Sequence, residues 1–123
     1  MEGSLTGRLI LVAEDEPLIA LDTTLAFEEE GAWVIRAHTL DEALRGVENP
    51  TLSAAILDHA LSDGDTTKVC QRMKERNIPF VTFSGYDDRV GIYREGPHVK
   101  KPASIAVLVA AVEGLLADRP ISN

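Results

Sequence analysis

The sequence predicts an α/β domain with a five-stranded parallel sheet and helices on both faces. Three observations carry that prediction. Short apolar runs recur along the chain, the mark of strands buried on both faces. Stretches with helical spacing of apolar residues separate them, as crossovers between parallel strands require. The 123 residues suffice for one domain with its own core.

The elements follow in order. Residues 1–7 read as a loose leader. Arg8-Leu9-Ile10-Leu11-Val12-Ala13 is the first strand, bounded by acids. Pro17 suits the first turn of a helix. That helix runs to about Glu30, with Leu18, Leu21, Leu25 and Ala26 roughly on one apolar stripe and Gly31 as its stop. Trp33-Val34-Ile35 is the second strand. Thr39 and Glu42 form a capping box for a helix through about Val47, which Asn49-Pro50 ends. Residues 54–58 are the third strand. A helix over about 66–76 turns Val69, Cys70 and Met73 inward. Phe80-Val81-Thr82-Phe83 is the fourth strand, and Val99 centres a short fifth. Between them, residues 86–96 carry few apolar positions, which predicts a short or distorted helix. Ser104 caps a last helix that faces Ile105, Leu108, Val109, Val112, Leu115 and Leu116 inward, and residues 119–123 form a tail.

Composition narrows the function. The net charge of −8 argues against a nucleic-acid-binding face, which needs basic groups against phosphates. It favours cationic partners, metal ions included. The single cysteine, Cys70, excludes an internal disulfide framework. No apolar run approaches bilayer length and no signal-peptide pattern is present, which predicts a cytoplasmic protein without membrane insertion.

The informative feature is where the strands stop. Ala54-Ala55-Ile56-Leu57 ends on a carboxylate, Asp58. A carboxylate at the rim of a core is costly unless it is paired, hydrogen-bonded or metal-bound. The first strand ends in Glu14-Asp15-Glu16, the fourth in Ser84 and the fifth in Lys100-Lys101-Pro102. In an open parallel sheet, ligands bind beyond the carboxyl ends of the strands. Each polar strand end taken alone is ordinary; their convergence on one edge is not. Crowded carboxylates call for a cation, and oxygen ligands with room for water suit Mg²⁺. Asp58 then has an oxygen to use as a nucleophile on phosphorus, with Lys101 and Ser84 to meet the phosphoryl oxygens.

This order of motifs resembles the receiver domain of a two-component response regulator, over residues 8–118, which would leave no output domain. The resemblance implies the flavodoxin-like (βα)5 fold. It makes Asp58 the phosphoacceptor and Asp15 a direct metal ligand. Glu14 takes the outer acid position, often through water, and the backbone carbonyl of Ala60 is a further ligand. Lys101 contacts the phosphoryl group, and the bond between Lys101 and Pro102 is expected cis. The implied cofactor is Mg²⁺. The implied phosphoryl donor is a sensor histidine kinase or a histidine phosphotransfer protein, and the output goes to an unidentified downstream protein. Such a domain catalyses its own phosphorylation and dephosphorylation and is not a turnover enzyme.

Several positions depart from the family pattern. Ser62 stands where a proline often follows the phosphoacceptor, and His98 where the fifth strand often carries an aromatic switch residue. Tyr86, two residues after Ser84, is a candidate substitute for that switch. The stretch Phe83-Ser84-Gly85-Tyr86 is similar to a Phe-Ala-Thr-Gly-Tyr subgroup of stand-alone receivers, mostly from alphaproteobacteria. Two other readings compete: a degenerate receiver that only binds partners, and a small phosphatase built on Asp63-Gly64-Asp65-Thr66-Thr67. Those acids lie well past the strand end, where they suit the start of the third helix instead.

Overall fold

The structure, a computed structural model, describes residues 3–85, 91–101 and 103–120. In chain order the elements are β1 (Leu9–Ala13), α1 (Pro17–Glu29), β2 (Trp33–Ala37), α2 (Leu40–Val47) and β3 (Leu52–Leu57). A two-residue hairpin, β4 (Ala60–Leu61) with β5 (Gly64–Asp65), precedes α3 (Thr67–Glu75). Then come β6 (Phe80–Ser84), a 3-10 turn at Gly91–Glu95, β7 (His98–Lys100) and α4 (Ile105–Leu116). The expected fourth and fifth strands are thus β6 and β7. Of the segment expected to hold a short or distorted helix, Gly91–Glu95 forms the 3-10 turn, and residues 86–90 lie outside the described residues.

The five long strands pair in parallel in the order β2-β1-β3-β6-β7. Alternation along β1 sends Ile10 and Val12 to one face and Leu11 and Ala13 to the other. The first face packs under α1 and α4 through Phe27, Leu108, Val112 and Leu116. The second packs under α2 and α3 through Val47, Val69, Cys70 and Met73. All six residues of β3, the central strand, are buried, which explains its unbroken run of small and apolar side chains. The chain moves from β1 to β2 on one side and then to β3 on the other. Strand order therefore reverses between β1 and β3, and a crevice is expected above their carboxyl ends.

The structure corrects two readings. The stripe of α1 that faces the core is Ala20, Thr23, Thr24 and Phe27. Leu18, Leu21 and Leu25 point outward and are 77%, 41% and 51% exposed. Both stripes have helical spacing, so periodicity alone does not choose between them. Small side chains let the helix approach the sheet closely, with Phe27 as its one large anchor. The segment 1–7 is also not loose from Gly3 on. Leu5 is buried in the core and its N–H donates to Glu30 O at 2.8 Å.

The capping box at α2 is present with one displacement. Glu42 N donates to Thr39 Oγ1 at 3.2 Å, while the Glu42 carboxylate accepts from His38 N at 2.8 Å, one residue before the cap. That bond holds the Glu42 carboxyl below its usual range. Among the described residues no helix is long and apolar enough to cross a membrane.

Candidate functional site

The crevice at the β1/β3 reversal holds the acids. Glu14 follows β1 and its N–H donates to Ala37 O at 3.0 Å, which continues the sheet ladder one residue past the strand. Asp58 follows β3 in the same way, donating from its N–H to Ala13 O at 3.1 Å. Sheet register therefore sets both carboxylates side by side. Asp15 joins them, and one carboxylate oxygen from each of the three lies within 4.8 Å of the others.

Lys101 closes the group from the far strand. Its N–H donates to Ser84 O at 2.8 Å, extending the β6/β7 ladder. Its ammonium donates to Glu14 Oε1 at 2.7 Å and to Asp58 Oδ2 at 3.0 Å. The same ammonium lies 5.2 Å from the centre of the Phe83 ring, a cation–π distance. The other Asp58 oxygen, Oδ1, accepts from His59 N at 2.7 Å. Glu14 Oε2 accepts from Glu16 N at 3.2 Å.

The charges do not balance. Three carboxylates face one ammonium, and Glu14 is almost wholly buried. Burial pushes the Glu14 carboxyl up to about 7; the Asp58 charge adds to this, and together they outweigh the opposing pull of Lys101. Burial also works against the charge on Lys101, but its bonds to Glu14 and Asp58 prevail and raise its pKa. A surplus of buried negative charge carried on hard oxygen donors fits a divalent cation such as Mg²⁺. Glu14, Asp15 and Asp58 are the residues that would hold it.

The remaining candidates fall as follows. Ser84 ends β6 and is buried, beside Lys101 through the backbone. Ala60 opens the hairpin, paired with Asp65, two residues after Asp58. His98 pairs in register with Thr82, and its Nδ1 lies 2.8 Å from Thr82 Oγ1; it is not a member of the acidic cluster. Tyr86 and Pro102, and with them the switch assigned to Tyr86 and the expected cis bond, lie outside the described residues. The acids of the phosphatase-like stretch serve helix starts. Asp63 accepts from Leu40 N at 3.0 Å at the head of α2, and Asp65 accepts from Thr67 N at 3.0 Å at the head of α3.

Sequence reasoning missed two residues next to the site. Thr66 and Tyr93, both buried, meet behind Asp58, with Thr66 Oγ1 2.6 Å from Asp58 O. The available signal was slight. Tyr93 is a lone aromatic within a polar stretch, and Thr66 stands directly before a helix.

Comparison with known proteins points the same way. No family model matches the chain. The transcriptional regulatory protein TrcR of Mycobacterium tuberculosis is 30% identical over 114 residues, which cover 87% of this chain and 44% of that protein. The response regulator RR06 of Streptococcus pneumoniae is 27% identical over 114 residues, 87% of this chain and 52% of that protein. The chain thus spans about half the length of these curated relatives. Among solved structures, a CheY-like receiver domain protein from Methanospirillum hungatei superposes with a TM-score of 0.80 at 24% identity, covering 90% of this chain and 94% of that one. The receiver domain of the sensor histidine kinase PA1611 from Pseudomonas aeruginosa, which has a magnesium ion coordinated in its active-site cleft, gives 0.79 at 20% identity, covering 92% and 100%. In fold the chain matches receiver domains, and in sequence it is similar to response regulators over 114 residues.

Proposed function

We propose that the domain accepts a phosphoryl group on Asp58 from a phosphohistidine and passes the signal on through protein contacts. The observation that carries this reading is the Lys101 ammonium bridging Asp58 and Glu14 beside Asp15, at the point where strand order reverses. An Asp58 carboxylate oxygen attacks phosphorus, the nitrogen–phosphorus bond of the donor breaks, and the imidazole leaves with the electron pair and takes up a proton. Lys101 donates to two carboxylates, which leaves its third N–H for a phosphoryl oxygen. Ser84, at the end of the adjacent strand, is the second group assigned to those oxygens. Glu14, Asp15, Asp58 and the Ala60 carbonyl would hold a Mg²⁺ ion, which would supply neutralising charge for the phosphoryl oxygens.

The partners in this reading are a sensor histidine kinase or a histidine phosphotransfer protein and an unidentified downstream protein, in the cytoplasm. The domain is a phosphoacceptor and not a turnover enzyme. The likeness of Phe83-Ser84-Gly85-Tyr86 to the Phe-Ala-Thr-Gly-Tyr receivers supports placing it near that subgroup. The test is labelling with acetyl phosphate and Mg²⁺. Asp58→Asn, nearly isosteric but without the anionic nucleophile, abolishes labelling while the fold is kept. Stoichiometric labelling of that variant, or none of the wild type, overturns the assignment.

A further inference from the structure

A cluster of hydroxyls stands behind Asp58. Thr66 occupies the N-cap position of α3, where a threonine hydroxyl ordinarily accepts from the first N–H groups of its own helix. Thr66 makes no such bond. Asp65 takes over at that helix end, accepting from Thr67 N at 3.0 Å. The Thr66 hydroxyl instead turns back and donates to Asp58 O at 2.6 Å, with His59 O 3.1 Å away. Thr66 is 0% exposed, so water does not compete for that bond.

Tyr93 enters from the 3-10 turn Gly91–Glu95. Its hydroxyl donates to His59 O at 3.2 Å and lies 3.3 Å from both Thr66 Oγ1 and Thr67 Oγ1. Its ring stacks on the His59 imidazole, with centroids 4.5 Å apart and planes at 22°. The protons can all be placed. Thr66 gives its proton to Asp58 O, Tyr93 gives its own to His59 O, and the Thr67 hydroxyl is hydrogen-bonded to the Asp65 carboxylate.

The geometry bears directly on the nucleophile. Asp58 C=O and His59 N–H belong to one peptide unit, which is planar and rigid. Thr66 holds the carbonyl end of that plane. The N–H end donates to Asp58 Oδ1 at 2.7 Å. Rotation of the plane would therefore turn the N–H away from the carboxylate it orients. Tyr93 holds the next carbonyl along, at His59.

We propose that Thr66 and Tyr93 are positioning residues for the phosphoacceptor, locking the peptide plane after Asp58, and so its carboxylate, to the 3-10 turn Gly91–Glu95. The inference rests on the reading of Asp58 as phosphoacceptor. Coupling of this kind is reciprocal. A change at the Asp58 carboxylate shifts the turn, and a partner that holds the turn changes the reactivity of Asp58.

The experiment uses the full chain, acetyl phosphate and Mg²⁺, with Thr66→Ala, Thr66→Ser, Tyr93→Phe and the double variant of Thr66→Ala with Tyr93→Phe. Tyr93→Phe keeps the ring stack and removes only the hydroxyl. Misaiming a nucleophile by a fraction of an ångström lowers the maximal labelling rate, here by about tenfold in Thr66→Ala and about threefold in Tyr93→Phe. The half-saturating concentrations of acetyl phosphate and Mg²⁺ stay as in wild type. Thr66→Ser restores the rate, and the double variant is no slower than Thr66→Ala, because both groups act through one segment. The His59 amide proton shift, read by NMR without metal or phosphate donor, moves in both Thr66→Ala and Tyr93→Phe. Wild-type labelling rates and an unmoved His59 amide in both variants overturn the inference and leave the phosphoacceptor reading intact. A loss confined to the half-saturating concentrations also overturns it. Absence of labelling in the wild type overturns the phosphoacceptor reading first, and the inference with it.

Discussion

The Lys101 ammonium lies 3.0 Å from the Asp58 carboxylate, across 43 residues of sequence and from the opposite side of β6. It also holds Glu14, so a single cation links the two strand-end acids of the site. Replacing it by Lys101→Met leaves those carboxylates facing each other. Without metal the variant loses about 1–3 kcal/mol, as expected when one member of a mostly buried ion group is removed. Added Mg²⁺ recovers more stability in the variant than it adds to the wild type, because both cations neutralise the same charge. Urea unfolding with and without Mg²⁺ measures this; equal gains in the two proteins contradict shared neutralisation.

Asp15 belongs to the acidic group without a bond to Lys101 of the kind that Glu14 and Asp58 make. Asp15→Asn therefore costs little stability in the metal-free protein. It removes most of the rise in melting temperature that millimolar Mg²⁺ produces by mass action. Thermal melts over a Mg²⁺ series are the check, and an undiminished rise in the variant counts against Asp15 as a ligand.

Glu14 gives the metal-free protein a definite pH dependence. Its carboxyl is raised by burial from 4.5 to about 7, so between those values the folded state holds a proton that the unfolded state has released. The unfolded state binds fewer protons in that window, and stability from this group falls as pH rises, by on the order of 1–3 kcal/mol. The contribution is fully present below about 4.5 and lost once pH passes about 7. Lys101, also raised, stays charged in both states across this window and leaves the slope unchanged. Denaturation midpoints in EDTA from pH 5 to 8 should decline in the wild type and stay nearly flat in Glu14→Gln. A rising wild-type curve would show that Glu14 is not held protonated.

The two stripes of α1 make opposite demands. Phe27→Ala opens a cavity under the helix and costs about 3–5 kcal/mol. Leu21→Ser and Leu25→Ser, on the exposed stripe, stay within about 0.5 kcal/mol of wild type. Chemical denaturation of the three variants decides which stripe faces the sheet.

The sequence already showed the strand ends and their chemistry. A buried strand must be apolar and a binding edge polar, so each switch from one to the other is visible in the chain, at Ala13 to Glu14 and at Leu57 to Asp58. The inner face of α3 was legible for a related reason: Val69, Cys70 and Met73 are the apolar positions of an otherwise polar helix. In α1 both stripes carry apolar residues, and the choice fell to the fit of Ala20 and Phe27 against the sheet.

By itself, then, the sequence determined the αβ alternation, the points where the first and third strands give way to their acids, and which residues lie at the carboxyl edge, because these follow from local hydrophobicity and chain order. Only the tertiary structure decided that Lys101 bridges Asp58 and Glu14, that Thr66 forgoes its own helix for Asp58 O, and that Tyr93 stacks on His59. Those contacts join residues far apart in the chain or set one hydrogen-bond acceptor against another. Such choices depend on distances of a few tenths of an ångström, which exist only once the sheet has paired and the helices have packed.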